Sequence, residues 1–443
     1  MTFRPPHLRS PYLRLRLRRL ASLLAPALAA CLTAACASYS LAPDPADTQG
    51  RSASGAAIEL TYWHTYSDVE TKVFEARVLP MFEKQHPDIA VRAVRQNYTS
   101  QLNDNIVAAV ADDKQPDVMR MDIIWVPQFA RSGALTDLSV MPDFADYEHR
   151  FTGALIQTNL YEGRYYGIPL DATTMVPIYD KRLLAEAGLD APPETFDQLI
   201  AASRRLKAKD EGLYGVSVCC SSTWGMLPYF RTLGGELLGP DNERASGYLD
   251  GERSVKAMEK LKGWYDEGLI SPSVVGGEPG GWDGLFDGKI MMIDEAHWFF
   301  TSNVNGSNAA RLADMTTALF PSDAREGTSI IGGENLVLFK GSRHPDAAWT
   351  FMKFMVSEPV QEMMAETGLI PSIRDFDRNK LKPVYRVYLD QLARAEPRPP
   401  VPEWDEVDDV FSRMVTRVLV GEQDAAGALR ESAAKIDAIL AGP

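Results

Sequence analysis

The chain has 443 residues, in which 60 Asp and Glu outweigh 46 Lys and Arg to give a net charge of −14. Such a surface repels phosphate backbones and anionic lipid, which argues against nucleic acid and membrane surfaces as partners. Four cysteines give no disulfide framework and no cysteine zinc site, and a chain this long outgrows a single core, since cores rarely exceed roughly 300 residues.

Residues 1–36 carry six arginines (Arg4, Arg9, Arg14, Arg16, Arg18, Arg19), an apolar stretch at 20–32 and no acid. This is the layout of a secretory signal, and the apolar stretch is shorter than the roughly 20 residues that span a bilayer. It closes on Leu28-Ala29-Ala30-Cys31 and then on Leu32-Thr33-Ala34-Ala35-Cys36. The first of these resembles the lipobox of bacterial lipoproteins, which implies lipidation at Cys31, with Cys36 as the alternative. Residues 37–57, rich in Ser, Ala, Pro and Gly, read as a flexible tether. Setting the leader's six arginines aside leaves 40 basic against 60 acidic residues, a balance of −20. The chain is therefore expected to be exported to the periplasm or the outer face of the cytoplasmic membrane, held there by a lipid anchor only.

Alternation over 57–63 predicts a strand, a turn follows at 64–68, and the apolar face of 69–85 predicts a helix that stops before Pro87. A second strand is expected at 89–94, a second helix at 100–111, a short buried strand at 117–122 and a helix at 124–131. Beyond these, 166–179 reads as extended, 181–188 as helical, and Thr195 as the cap of a helix over 196–209. The glycine-rich stretches 275–284 and 327–333 read as loops or hinges, and 397–402 as a stiff connector. Strand and helix in alternation is the rhythm of an α/β sheet with crossover helices.

Four blocks of this sequence carry a resemblance. They are Gln115-Pro116-Asp117-Val118 with Asp122, Trp125 and residues 133–138; Tyr166-Gly167-Ile168-Pro169 through residues 179–189 and 192–196; Phe286-Asp287-Gly288-Lys289; and Gly332-Gly333-Glu334-Asn335 through residues 339–342, Trp349 and Ile370-Pro371-Ser372. In this order and spacing the chain resembles the family 1 extracellular solute-binding proteins, the maltose-binding-like receptors of ABC importers. The resemblance implies an α/β, two-lobe periplasmic binding protein fold of class II, with hinge crossovers and an interlobe cleft. It places the first lobe at 58–168 and 286–335 and the second at 169–285 and 336–443. It also implies a monomer that delivers a small molecule, expected to be an oligosaccharide, to the importer's permease subunits.

A sugar presents hydroxyls and flat C–H patches, so its receptor needs acids or amides beside open aromatic faces. Trp63, His64 and Tyr66 follow the first strand, and Asp122 and Trp125 the third. Asp171 interrupts an apolar run and would cost several kcal/mol without a partner, which a ligand hydroxyl, helped by Thr173, or a backbone cap would supply. In the second half Trp224 and Tyr229 follow a Cys219-Cys220 pair that could close a vicinal disulfide. Trp282 lies in a glycine-rich loop, Asp294, His297 and Trp298 follow a strand, and Gly333, Glu334 and Asn335 admit close backbone approach. Trp264, Trp349 and Trp404 lie in helical patterns and read as core.

No phosphate loop, nucleophile elbow or metal-binding histidine spacing is present in the sequence, so no cofactor, no metal and no catalysis are expected. A polyamine or a glycerophosphodiester is the alternative ligand. A carbohydrate-active enzyme using Asp171, Glu295 and His297 is the less favoured class.

Overall fold

The computed structural model describes residues 58–322 and 327–442, and the strands that matter for function are ten. In chain order they are β1 (Ile58–His64), β2 (Ile89–Arg95), β3 (Val118–Asp122), β4 (Gly167–Thr173), β5 (Val176–Asp180), β6 (Tyr214–Ser217), β7 (Ile290–Glu295), β8 (Met315–Thr317), β9 (Gly332–Leu338) and β10 (Ile370–Pro371). They form two sheets, one of six strands ordered β10-β4-β9-β3-β1-β2 and one of four ordered β8-β5-β7-β6. Each sheet is the centre of one lobe. The proposed signal segment 1–36 with Cys31 and Cys36, and the tether 37–57, lie outside the described residues.

The first lobe begins as its sequence dictates. Leu60, Tyr62 and His64 of β1 are buried on one face, and a capping box starts the next helix: Ser67 Oγ accepts from the Glu70 amide (3.4 Å), and Glu70 Oε2 from the Ser67 amide (2.8 Å). That helix runs from Asp68 to Gln85 through a π turn at Phe74–Val78, and sets Phe74, Val78 and Phe82 into the first core. β1 pairs in parallel with β2 and β3, while β9 runs antiparallel between β3 and β4.

The extended run expected at 166–179 is two strands in different sheets, separated only by Thr174 and Met175. Every residue of β4 and β5 is buried, so hydropathy alone gives no sign of the change of lobe. The chain returns between β8 and β9 and crosses again after β10. The crossings are bonded to one another: Thr174 Oγ1 donates to Ile330 O (2.8 Å), Ser329 Oγ donates to Met175 O (2.8 Å), and the Ile331 amide donates to Glu396 O (2.9 Å).

The lobe boundaries expected at 286–335 and 336–443 do not follow the sheets. β7 and β8 pair within the four-stranded sheet, whereas β10 and the helices Pro345–Met355 and Glu358–Ala365 belong with the six-stranded one. The C-terminal helices Trp404–Leu419 and Ala425–Leu440 pack Trp404, Phe411, Leu429 and Ile436 into the second lobe's core. Trp264, Trp349 and Trp404 are buried, as their helical settings predict. Among the described residues no helix is long and apolar enough to cross a membrane.

Candidate functional site

Strand register assembles one side of the site. Glu334 of β9 lies between Asp122 of β3 and Asp171 of β4, so three acids stand abreast near the ends of three neighbouring strands. Asp171 reaches this row through a bulge: the pairing steps from Pro169 to Asp171 while β9 advances one residue, leaving Leu170 over. The Leu170 carbonyl accepts instead from Gln361 Nε2 (2.8 Å) and Ser372 Oγ (3.1 Å). Gly333 makes the close approach possible, since at φ +121° a Cβ there would lie 2.3 Å from Asp171 O.

Arg120, two residues before Asp122 and on the same face of β3, gathers Asp171 and Glu334. Its guanidinium donates to both oxygens of Asp171 (3.1 and 3.2 Å), to Glu334 Oε2 (2.7 Å) and to Thr65 Oγ1 (2.5 Å), and lies 4.8 Å over the Tyr66 ring. The side chains of Arg120 and Asp171 are each 5 % exposed, so this is a buried, forked ion pair in which every charge needs its partners. Burial, with Asp171 beside it, pushes the Glu334 carboxyl well above the usual range against the pull of Arg120. His64 is packed among Tyr62, Tyr66 and Phe74, and burial followed by the charges of Arg120 and Arg95 lowers it to about 3.

The second lobe faces this cluster with aromatic rings. At the end of β7, Glu295 accepts from Trp282 Nε1 and Trp298 Nε1, each at 2.8 Å, which fixes two indoles around one carboxylate. Burial raises the Glu295 carboxyl, and these donors oppose the rise. Trp298 stacks on Trp224 (centroids 6.0 Å, 29° between planes), and the Arg398 guanidinium lies 5.5 Å over Trp224. A Cβ on Gly332 would lie 2.7 Å from the Trp224 ring, so this second-lobe side chain rests on a strand of the first lobe. His297 is buried with Nδ1 unpartnered among the described residues, and burial lowers it to about 4, with Asp171 and Arg120 acting on it in opposite senses.

Polar contacts close the rim between the lobes. Arg398 lies 3.7 Å from Asp122, which also accepts from Tyr98 Oη (2.6 Å), and Tyr98 stacks on Trp125 (5.9 Å, 15°). Asn103 donates to Asp405 Oδ2 (3.0 Å).

The structure thus brings together His64, Tyr66, Asp122, Asp171, Trp224, Trp282, His297, Trp298, Gly333 and Glu334, with Thr173 paired to Gly332 beside them, while Trp125 is a buried core residue that meets the site through Tyr98. Others lie elsewhere. Trp63 lies on the opposite face of β1 from His64, packed against the buried cluster that contains Met119 and Trp125. Asn335 points away from Glu334 and donates to Thr158 Oγ1 (3.1 Å), and Tyr229 is buried in the second core with its hydroxyl on Asp294 Oδ1 (3.1 Å). Asp294 is fully buried behind Glu295 and pushed well above the carboxylate range by burial and by Glu295. Asp171 has a protein partner, Arg120, where a ligand hydroxyl or a backbone cap was the expectation. Sequence reasoning missed Arg120, Glu295 as an anchor of indoles, Tyr98 and Arg398. For Arg120 a signal existed, since an arginine inside the apolar run Val118-Met119-Arg120-Met121 cannot be buried alone.

Such a site offers donors and acceptors on one wall and flat apolar faces on the other, the complement of a polyhydroxylated solute. The family description "bacterial extracellular solute-binding protein" matches residues 67–362. The chain is 24% identical to the galactooligosaccharide-binding protein of Bacillus subtilis, over 90% of this chain and 94% of that one. Its fold is that of the sugar-binding protein MalE from Xanthomonas citri (TM-score 0.77, 24% identity, 86% of this chain and 97% of that one). The GacH receptor of Streptomyces glaucescens, solved unliganded and with acarbose, has the same fold (TM-score 0.76, 24% identity, 87% and 99%).

Proposed function

The chain belongs to the bacterial extracellular solute-binding proteins, and on that premise we propose that it is the receptor of an ABC importer, taking a carbohydrate, in particular an oligosaccharide, between its lobes. The observation that carries this reading is the pair of stacked indoles, Trp224 and Trp298, set opposite the acids gathered by Arg120. Ring faces take sugar C–H surfaces, and carboxylates take hydroxyl donors, without any bond being made or broken. The relatives reported above, which bear saccharide names, support the same class. The receptor is a monomer, exported and tethered by lipid at Cys31, with Cys36 as the alternative, and passes its ligand to the permease unchanged.

A glycerophosphodiester is the second reading, favoured by Arg398, whose Nε is buried without a hydrogen-bond partner among the described residues beside Trp224. A polyamine fits less well, because Arg120 and Arg398 already stand against the acid row.

The test is thermal unfolding of the chain from Ser52 on against mono- and oligosaccharides, glycerophosphodiesters and polyamines. A ligand that binds only the folded state at a hundred times its Kd adds about 2.7 kcal/mol. A rise in Tm confined to saccharides is the expected result; a rise confined to either other class overturns the carbohydrate reading and leaves the receptor reading intact.

A further inference from the structure

Cys219 and Cys220 lie in the loop between β6 and the helix Thr223–Thr232, the helix that presents Trp224 to the cleft. Their sulfurs are 3.2 Å apart, and Cys220 Sγ is also 3.1 Å from Ser222 Oγ. Both residues are partly exposed, and Cys220 is the less enclosed of the two sulfurs. The first helical turn rests on the pair: a Cβ on Gly225 would lie 2.4 Å from Cys220 O and 2.9 Å from Cys219 Sγ. The two thiols differ in character. The hydrogen bond from Cys219, then those from Ser222 and nearby backbone amides, lowers Cys220 to about 7 against the effect of burial. The same bond and burial raise Cys219 well above the usual thiol value. One sulfur is thus a nucleophile near neutral pH and the other a resolving thiol beside it.

We propose that Cys219 and Cys220 are a reversible dithiol–disulfide couple, a redox modification site whose oxidation moves Trp224. The consequence for ligand rests on the cleft reading above; the couple itself does not. The oxidant is an external disulfide. The Cys220 thiolate attacks one sulfur of that disulfide, its S–S bond breaks, and one thiolate leaves and takes up a proton. Cys219 then loses its proton and attacks Cys220 Sγ, expelling the second external thiol. Two protein thiols are oxidised and one disulfide is reduced to two thiols. The product is an eight-membered ring that includes the peptide between the two cysteines, and ring strain keeps it easily reduced. Closing it brings the sulfurs to about 2.05 Å, which draws Cys219 Sγ from its place against the helix start and shifts the turn that carries Trp224.

The experiment treats the full chain with glutathione disulfide and reads the tryptic fragment from Asp210 to Arg231, which holds these two cysteines and neither Cys31 nor Cys36. The wild-type fragment is expected to lose two hydrogens and carry no glutathione, with dithiothreitol restoring it. Cys219→Ser should stop at one bound glutathione. Two stable glutathiones on the wild-type fragment, or thiols left untouched while a free cysteine standard reacts, would overturn the couple. For Trp224, the sharp indole bands of the near-ultraviolet circular dichroism, read apart from the new disulfide's own broad band, should differ between reduced and oxidised protein, and that indole difference should vanish in Trp224→Phe. Identical indole bands in the two redox states would overturn that part, whatever the ligand proves to be.

Discussion

Replacing Arg120 by Met would leave Asp171 and Glu334 buried side by side without a counter-charge. Removing one partner of a buried pair costs about 3–5 kcal/mol, so Arg120→Met should lower the urea midpoint by that equivalent; a loss below about 1 kcal/mol would show that the cluster is not structurally coupled. The same residue shows how far sequence reading reaches. Arg120 and Asp171 each sit in an apolar run, and each alone is anomalous. Nothing in the sequence says that one answers the other, because their strands meet only through β9 and a bulge. His297 gives a pH prediction. Its folded pKa, about 4, lies below the usual 6.5, so between these values the unfolded chain binds the extra proton. Its contribution is therefore complete above pH 6.5 and lost as pH falls towards 4. The buried acids Glu334, Glu295 and Asp294 are raised and act in the opposite sense, so the difference between wild type and His297→Gln isolates the histidine. Wild-type stability should fall more steeply than the variant's over pH 6.5 to 4, read by urea unfolding at each pH; parallel curves would contradict it.

At the scale of elements, β9 and β7 do different work. β9 must run against β4 closely enough for Gly333 to leave no room for a Cβ, at a φ that other residues avoid. Gly333→Ala should cost more than about 2 kcal/mol, by the φ penalty and a clash with backbone. Gly153→Ala, at a helix start with open space around it, should change stability by less than about 1 kcal/mol. Equal effects in the two unfolding curves would refute the close approach. β7 ends in Glu295, a positioning residue that holds two indoles. Glu295→Gln leaves one carbonyl for two donors and should weaken ligand binding several-fold in a calorimetric titration while the fold is kept. Element type was largely legible: the helix Phe196–Lys209 falls where its Thr195 cap and apolar face put it. Lobe membership was not, because β4 and β5 are uniformly buried neighbours in sequence and hydropathy does not record which sheet a strand joins.

For the whole molecule, the three crossings matter as one joint. Thr174, Ser329, Ile331 and Glu396 bond them together, so the lobes can turn about a single strap rather than three separate strings. The contact of Asp122 with Arg398 follows the strap by two residues, whereas that of Asn103 with Asp405 ties the first lobe to a helix packed in the second lobe's core and is the contact that an opening motion should break. A saccharide held between the lobes against Trp298 should be felt in a calorimetric titration of the saccharide that raises Tm into wild type and Trp298→Ala. Trp298 is 37 % exposed, so its removal should spare the fold. Loss of a stacked ring, worth about 0.5–1.5 kcal/mol beyond its buried area, should weaken binding about tenfold or more, with the variant still unfolding in one cooperative transition in the absence of ligand. Unaltered affinity in Trp298→Ala would mean that no saccharide rests on this ring.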